Sequence, residues 1–201
     1  MAKTNQTSTV DEILDVGQEL IQTVGFDGFS YRDIADRVGI KSASVHYHFP
    51  AKTDLAHAVA EKYRVDFNAS VNELESRGLS PLDQLAGFAG IFQRTLEGLN
   101  RVCLCAMLAS EAGSVPTTVN EETQKFFNEQ QAWISKTISA GIDSGEIAES
   151  AQPIAFAKTF LAALEGAMIM ARAMERPEHL AEVADQLLSL LGTSTPASTS
   201  A

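Results

Sequence analysis

Four histidines, two cysteines and one acid-free stretch hold most of the reactive side chains in this 201-residue sequence. The histidines are His46, His48, His57 and His179, and the first three lie within or beside one short segment. No His-Glu-x-x-His pair and no glycine-rich phosphate loop accompanies them. The sequence therefore offers no catalytic constellation, no metal site and no cofactor site. Cys103 and Cys105 stand near the start of an expected helix, next to Arg101. A step of two on a helix turns side chains about 200° apart, which suits neither a joint metal site nor an internal disulfide. A thiol in a first helical turn is expected to have a lowered pKa and more thiolate. The alternative is a buried cysteine acting as a small hydrophobe. The acid-free stretch points elsewhere. Between Asp36 and Asp54 there is no carboxylate, while Arg37, Lys41, His46, His48 and Lys52 fall inside. Cationic and hydrogen-bonding groups uninterrupted by acids suit phosphates and the acceptor edges of bases.

Helices must position these residues, because no segment alternates with the period of a strand. Ile13, Leu14, Gly17, Leu20, Ile21 and Val24 share one face of a first helix that Gly25 ends. Phe26 and Phe29 flank an Asp-Gly turn and read as core plugs. Ser30 opens a second helix, with Asp33 three residues on as a capping-box-like partner. Ile34, Ala35 and Val38 face inward, and Gly39 makes the turn. A short third helix runs from about Ser42 to His48, and a long fourth from about Lys52 to Arg77. Further helices are expected over about Pro81 to Leu99, Leu104 to Ala112, Thr117 to Ser144, Pro153 to Met174 and Pro177 to Leu191. Spacing of Ala35 and Gly39 alone describes any helical hairpin. The polar face of the third helix, with Lys41, Ser42, Ser44, His46, Tyr47 and His48, favours a helix-turn-helix over a core hairpin.

The net charge of −11 excludes indiscriminate nucleic-acid binding and confines any DNA contact to a local surface. Residues 1–68 hold seven Lys/Arg against ten Asp/Glu, and residues 69–201 eight against sixteen. The first ten residues carry no apolar core of a secretory leader. Residues 153–173 are strongly apolar but include Lys158, Glu165 and Arg172, so a buried helix is expected there rather than a membrane span. A soluble cytoplasmic protein without a membrane partner follows as the expectation.

The run Phe26–Asp27–Gly28–Phe29–Ser30–Tyr31–Arg32–Asp33–Ile34–Ala35, then Val38–Gly39–Ile40, then Ser44–Val45–His46–Tyr47–His48–Phe49–Pro50–Ala51–Lys52 resembles the signature of the tetracycline-repressor (TetR) family. The resemblance covers roughly residues 10–68, and the helical remainder is similar in length and layout. It implies an all-α fold of about nine helices. A three-helix DNA-binding domain with a helix-turn-helix, residues 8–68, precedes a larger ligand-binding and dimerisation domain, residues 69–192, and a disordered tail, residues 193–201. It also implies a homodimeric repressor on a palindromic, double-stranded operator, released by a small molecule. Carried over by position, Arg32 matches a base or phosphate contact, and Ser30 and Tyr31 join it in the DNA-binding set. Lys41, Ser42 and Ala43 match base-reading positions, Ser44 and Tyr47 groove and phosphate contacts, His48 a phosphate or structural position, and Lys52 a phosphate anchor at a helix N-terminus. Where this chain has His46, relatives commonly place tyrosine. Whether His46 reads DNA, with a pH dependence, or fills the place of a tyrosine stays open at this point.

Small residues Ala155, Ala162, Ala163, Gly166, Ala167 and Ala171, with the stripe Leu180, Val183, Ala184, Leu187, Leu188 and Leu191, suggest that the last two helices form the dimer interface. Phe88, Phe92, Met107, Phe126, Phe127, Trp133 and Met168 are the candidates for lining an apolar effector pocket, against the plainer reading of core. The segment from Cys103 to Glu111 weakly resembles electrophile-sensing repressors of the family, which gives the alternative that release follows oxidation or alkylation of Cys103, and the effector an apolar or electrophilic character. An enzyme lacks its constellation here, and a helical adaptor that ignores DNA does not account for the acid-free stretch.

Overall fold

The computed structural model describes residues 8–99 and 101–192. Nine helices form among these residues: α1 (Thr9–Val24), α2 (Tyr31–Val38), α3 (Ser42–His48), α4 (Lys52–Ser76), α5 (Pro81–Leu99), α6 (Leu104–Ser110), α7 (Thr117–Asp143), α8 (Pro153–Ala173) and α9 (Glu178–Ser189). No strand occurs among them, only an isolated bridge between Ile147 and Gly192. The expected disordered tail lies outside the described residues.

One local device starts several of these helices. Asp11 accepts the Ser8 amide and hydroxyl, Asp33 those of Ser30, and Asp54 the amide of Ala51. Ser80 and Asp83 pair likewise before α5. A carboxylate three residues inside a helix satisfies donors that have no helical partner and lies at the positive end of the helix dipole.

The chain forms two compact units. The first joins residues 8–68 with 101–127, so α6 and the start of α7 pack with the first four helices. Its core takes Ile13, Leu20 and Ile21 from α1, Phe26 and Phe29 from the turn, Ile34 and Ala35 from α2, Val45 from α3 and Leu55, Val59 and Tyr63 from α4. Val102, Leu104, Leu108, Val119 and Phe126 complete it. Val24, expected on the buried face of α1, is 52% exposed, because the helix ends there.

The second unit comprises residues 69–99 and 128–192. Here α8 and α9 pack on one another and on α5. By length and composition α8 is apolar enough to cross a membrane. It buries Ala157, Phe160, Leu161, Leu164, Ala167 and Met168 within the unit. Its other face, with Ile154, Ala155, Ala162, Ile169 and Met170, is exposed.

Candidate nucleic-acid interface

The helix pair α2–α3 is set by its turn. Gly39 is left-handed, with φ 78° and ψ 30°, a conformation that costs glycine little. The amides of Gly39 and Ile40 both donate to the Ala35 carbonyl, at 2.9 and 3.0 Å. Ile34 and Val45 are fully buried, while Val38 and Ile40 are half-buried. The α3 backbone is thereby fixed from beneath, and its outer face is left to solvent.

That face carries most of the side chains expected to meet DNA. Ser30, Arg32, Lys41, Ala43, His46 and Tyr47 are exposed, and Ser42, Ser44 and His48 half-exposed. Tyr47 is 82% exposed and meets the His48 ring edge-on at 5.1 Å. Lys41 is the N-cap residue of α3, and no acid lies in the first turn of that helix. Asp33, which accepts from Ser30, is held below the usual aspartate range by those hydrogen bonds. Arg32 reaches Asp36 only at 3.9 Å.

Two residues of the set lie beneath the face. Tyr31 is 7% exposed, its ring meets His46 edge-on at 4.5 Å, and its hydroxyl is buried without a hydrogen-bond partner. Burial, and then the charge of Asp54, pushes its pKa up to about 12. Lys52 is half-buried at the start of α4. Its ammonium donates to the Phe29 carbonyl and lies 4.1 Å and 5.0 Å from the ring centroids of Phe29 and Phe26. Desolvation lowers its pKa, against the opposing pull of Asp27, Glu111 and Asp33.

The acid-free stretch is therefore less cationic in space than in sequence. Arg37 Nη1 donates to Glu19 at 2.8 Å, and the other oxygen of Glu19 accepts Arg101 Nη2 at 2.7 Å. Of Arg37, Lys41 and Lys52, Lys41 alone is engaged by no carboxylate or carbonyl among the described residues. Glu19, Arg101 and Glu111 brace this unit, a role that was not read from the sequence, where Arg101 and Glu111 entered only as neighbours of the cysteines. Their partners lie more than eighty positions away along the chain for Arg101 and Glu111, so no local pattern marks them.

The two cysteines need a correction. Cys103 is the N-cap of α6, with non-helical backbone (φ −52°, ψ 129°), so the helical step that would turn the thiols apart does not apply. Both cysteines are fully buried. Burial pushes the Cys103 pKa well up rather than down, because desolvation outweighs the help of the helix end. No group of His, Cys, Asp or Glu suited to a metal ion occurs among the described residues.

The seven apolar residues considered for a pocket fall into both units. Phe126 meets Tyr63, Phe67 and Phe127 at 5.6, 5.0 and 5.5 Å in the first, where Met107 also lies. Phe88 stacks on Trp133 at 5.3 Å and meets Phe92 at 5.5 Å in the second, which also holds Met168. Trp133 Nε1 donates to Glu75. A groove of about 150 Å³ in the second unit runs between α5 and α9, past Ala86, Ala89, Gly90, Gln93 and Leu180, and none of the seven lines it.

Comparison with known proteins adds the following. The model of "Bacterial regulatory proteins, tetR family" matches residues 13–59, and that of "Tetracyclin repressor-like, C-terminal domain" matches residues 81–187. The HTH-type transcriptional repressor DhaR of Mycobacterium sp. (strain GP1) is 22% identical over 187 residues, covering 92% of this chain and 91% of that protein. A TetR-family transcriptional regulator from Agrobacterium tumefaciens superimposes with a TM-score of 0.88 at 33% identity, covering 92% of this chain and 98% of that one. A TetR transcriptional regulator from Legionella pneumophila does so with a TM-score of 0.85 at 30% identity, covering 94% and 100%.

Proposed function

Because the chain belongs to the tetR family of bacterial regulatory proteins, we propose that it is a cytoplasmic, homodimeric repressor that holds a palindromic operator and releases it when a small molecule binds. The observation that carries this reading is the outer face of α3. Lys41, Ser42, Ser44, His46, Tyr47 and His48 stand there exposed or half-exposed, on a backbone fixed by Gly39 and Val45. In this reading Lys41, at the mouth of α3, neutralises a phosphate, while Ser42 and Ala43 meet base edges. Arg32, Ser44, Tyr47 and His48 track the backbone, and Ser30 caps the helix that presents Arg32. His46 keeps its edge-on contact with Tyr31 and offers its exposed nitrogens to the groove.

A single reading helix covers one half-site, and a second must lie about 34 Å along the duplex. The exposed face of α8 supplies the means of pairing. Ala155, Ala162 and Ile169 recur every seven residues on it, with Ile154, Met170 and Met174 beside them. Small residues permit close helix approach, and an apolar stripe on a long helix calls for a cover. A ligand that prefers a conformation with a different half-site spacing shifts the dimer off DNA by its differential affinity for the two states. Both thiols are buried, so release is assigned to ligand binding rather than to thiol chemistry.

The test is selection of duplexes from random-sequence DNA by the full chain, with sedimentation of the resulting complex. The expected result is an inverted repeat bound by two chains. Substituting Lys41 by Ala should weaken all duplexes alike and lower the salt slope by about 1, whereas Ser42→Ala should change the selected sequence. Enrichment of no sequence would sink the proposal.

A further inference from the structure

The turn from Phe26 to Phe29 leads from α1 into the reading pair, and two charged side chains from outside grip its ends. At the start, Glu111 accepts the Phe26 amide at 2.7 Å. Gly25, just before it, has φ 81°, and a Cβ there would lie 2.1 Å from Glu111 Oε1. The carboxylate therefore sits directly on bare backbone. At the end, Lys52 donates to the Phe29 carbonyl and covers both phenylalanine rings. Those rings are buried, so the turn is anchored below by its side chains and at both ends through its backbone. Ser30, the cap of α2, follows immediately.

We propose that Lys52 and Glu111 are positioning residues for operator recognition: they clamp the turn between them and so fix the mounting of α2 and α3, without touching DNA. Charge-assisted bonds to a backbone amide and a backbone carbonyl are strong and directional. An ammonium already bonded to a carbonyl and stacked over two rings would have to give up both to meet a phosphate. Glu111 also brings the end of α6 onto the reading head, which gives residues 101–127 a direct hold on its orientation.

The inference rests on the operator-binding reading, and its test separates the two. The full chain and its variants are titrated with the duplex selected by the wild type and with a scrambled duplex, over a range of salt. Lys52→Met and Glu111→Leu are each expected to lose about tenfold on the selected duplex, as befits a lost charge-assisted bond. Both should keep wild-type affinity for the scrambled duplex and the wild-type salt slope. Glu111→Gln, which retains a carbonyl acceptor for Phe26, should recover most of the loss. The double variant should lose little more than either single one, since both act on one turn. A salt slope lowered by about 1 in Lys52→Met, on both duplexes, makes Lys52 a phosphate anchor and overturns the proposal. Equal losses on both duplexes with a lowered thermal midpoint reduce the pair to a structural role and also overturn it. If Lys52→Met does not fold, Glu111→Leu against Glu111→Gln still tests the clamp at its other end: equal losses on both duplexes, or no recovery in Glu111→Gln, overturn it. A wild type that enriches no duplex overturns the operator-binding reading instead.

Discussion

Replacing Tyr31 by Phe removes a single oxygen that the structure leaves without a partner. The residue is 7% exposed, and its hydroxyl neither donates nor accepts within the described residues. A buried polar group without its hydrogen bond costs about 1–3 kcal/mol. The phenylalanine ring keeps the edge-on contact with His46, so packing is conserved. We expect Tyr31→Phe to stabilise the protein by about 1 kcal/mol, a rise of roughly 2–4 °C in thermal midpoint for a chain of this size. The pH behaviour gives a second readout. The pKa of Tyr31 is raised from 10.0 to about 12, so its proton is held more tightly in the folded state. That contribution is complete below pH 10 and disappears as pH rises through the folded value. The gap between variant and wild type should therefore change between pH 10 and 12 and stay constant below. Operator affinity should remain within about twofold, because a hydroxyl this deep offers nothing to a phosphate. Thermal melts followed by circular dichroism, with a DNA titration, make the measurement. A midpoint lowered by several degrees, or an affinity loss of about tenfold, would refute the reasoning and restore Tyr31 as a direct contact.

Three further outcomes are expected. Asp33 titrates below its ordinary 3.8 because Ser30 donates to it twice, so its cap stabilises α2 above that value and lets go as pH falls through the folded pKa. Asp33→Ala should lower the melting midpoint at neutral pH, and the difference from wild type should fade in acid. Glu122, 4% exposed, accepts Arg64 Nε at 2.9 Å and Lys125 Nζ at 2.6 Å. Glu122→Leu leaves the largely buried Arg64 without that carboxylate and should cost about 3–5 kcal/mol in denaturant unfolding, most of it recovered when Arg64 is changed to Met as well. Ile169→Asp, on the exposed face of α8, should weaken self-association at least about 30-fold by sedimentation, the loss typical of a central interface residue, without changing the far-ultraviolet spectrum.

The elements were legible where the signal is local. Gly39 and Pro50 bracket α3, and the expected span Ser42 to His48 is the one observed. Pro81, Pro153 and the Ser-x-x-Asp pairs mark helix starts in the same way. The exposed side chains of α3 were legible too, because a short helix that turns Val45 inward must turn Tyr47 and Lys41 outward. Long-range partners were not. Arg37 counts as a cation of the acid-free stretch until Glu19, eighteen residues earlier, is seen to hold it. Lys52 reads as a helix-start cation facing phosphate, yet the Phe29 carbonyl, twenty-three residues away, takes its ammonium. Cys103 failed for a subtler reason. The expected start at Leu104 is the one observed, which leaves Cys103 at the cap rather than in the first turn, and burial, which no local pattern reveals, reverses the direction of its pKa. The return of residues 101–127 to the first unit was not legible either, since it depends on contacts no window contains.

That return has a consequence for anyone who would move this reading head between proteins. Cut at residue 68, the head would part Tyr63 and Phe67 from Phe126, Arg64 from Glu122, Gln22 from the Val102 carbonyl and Phe26 from Glu111. A chimaera that grafts residues 1–68 onto another regulator inherits the docking half of each pair and none of the receptors. The exchangeable cassette is discontinuous, and a graft that keeps the recognition properties of the parent must carry residues 101–127 along with it.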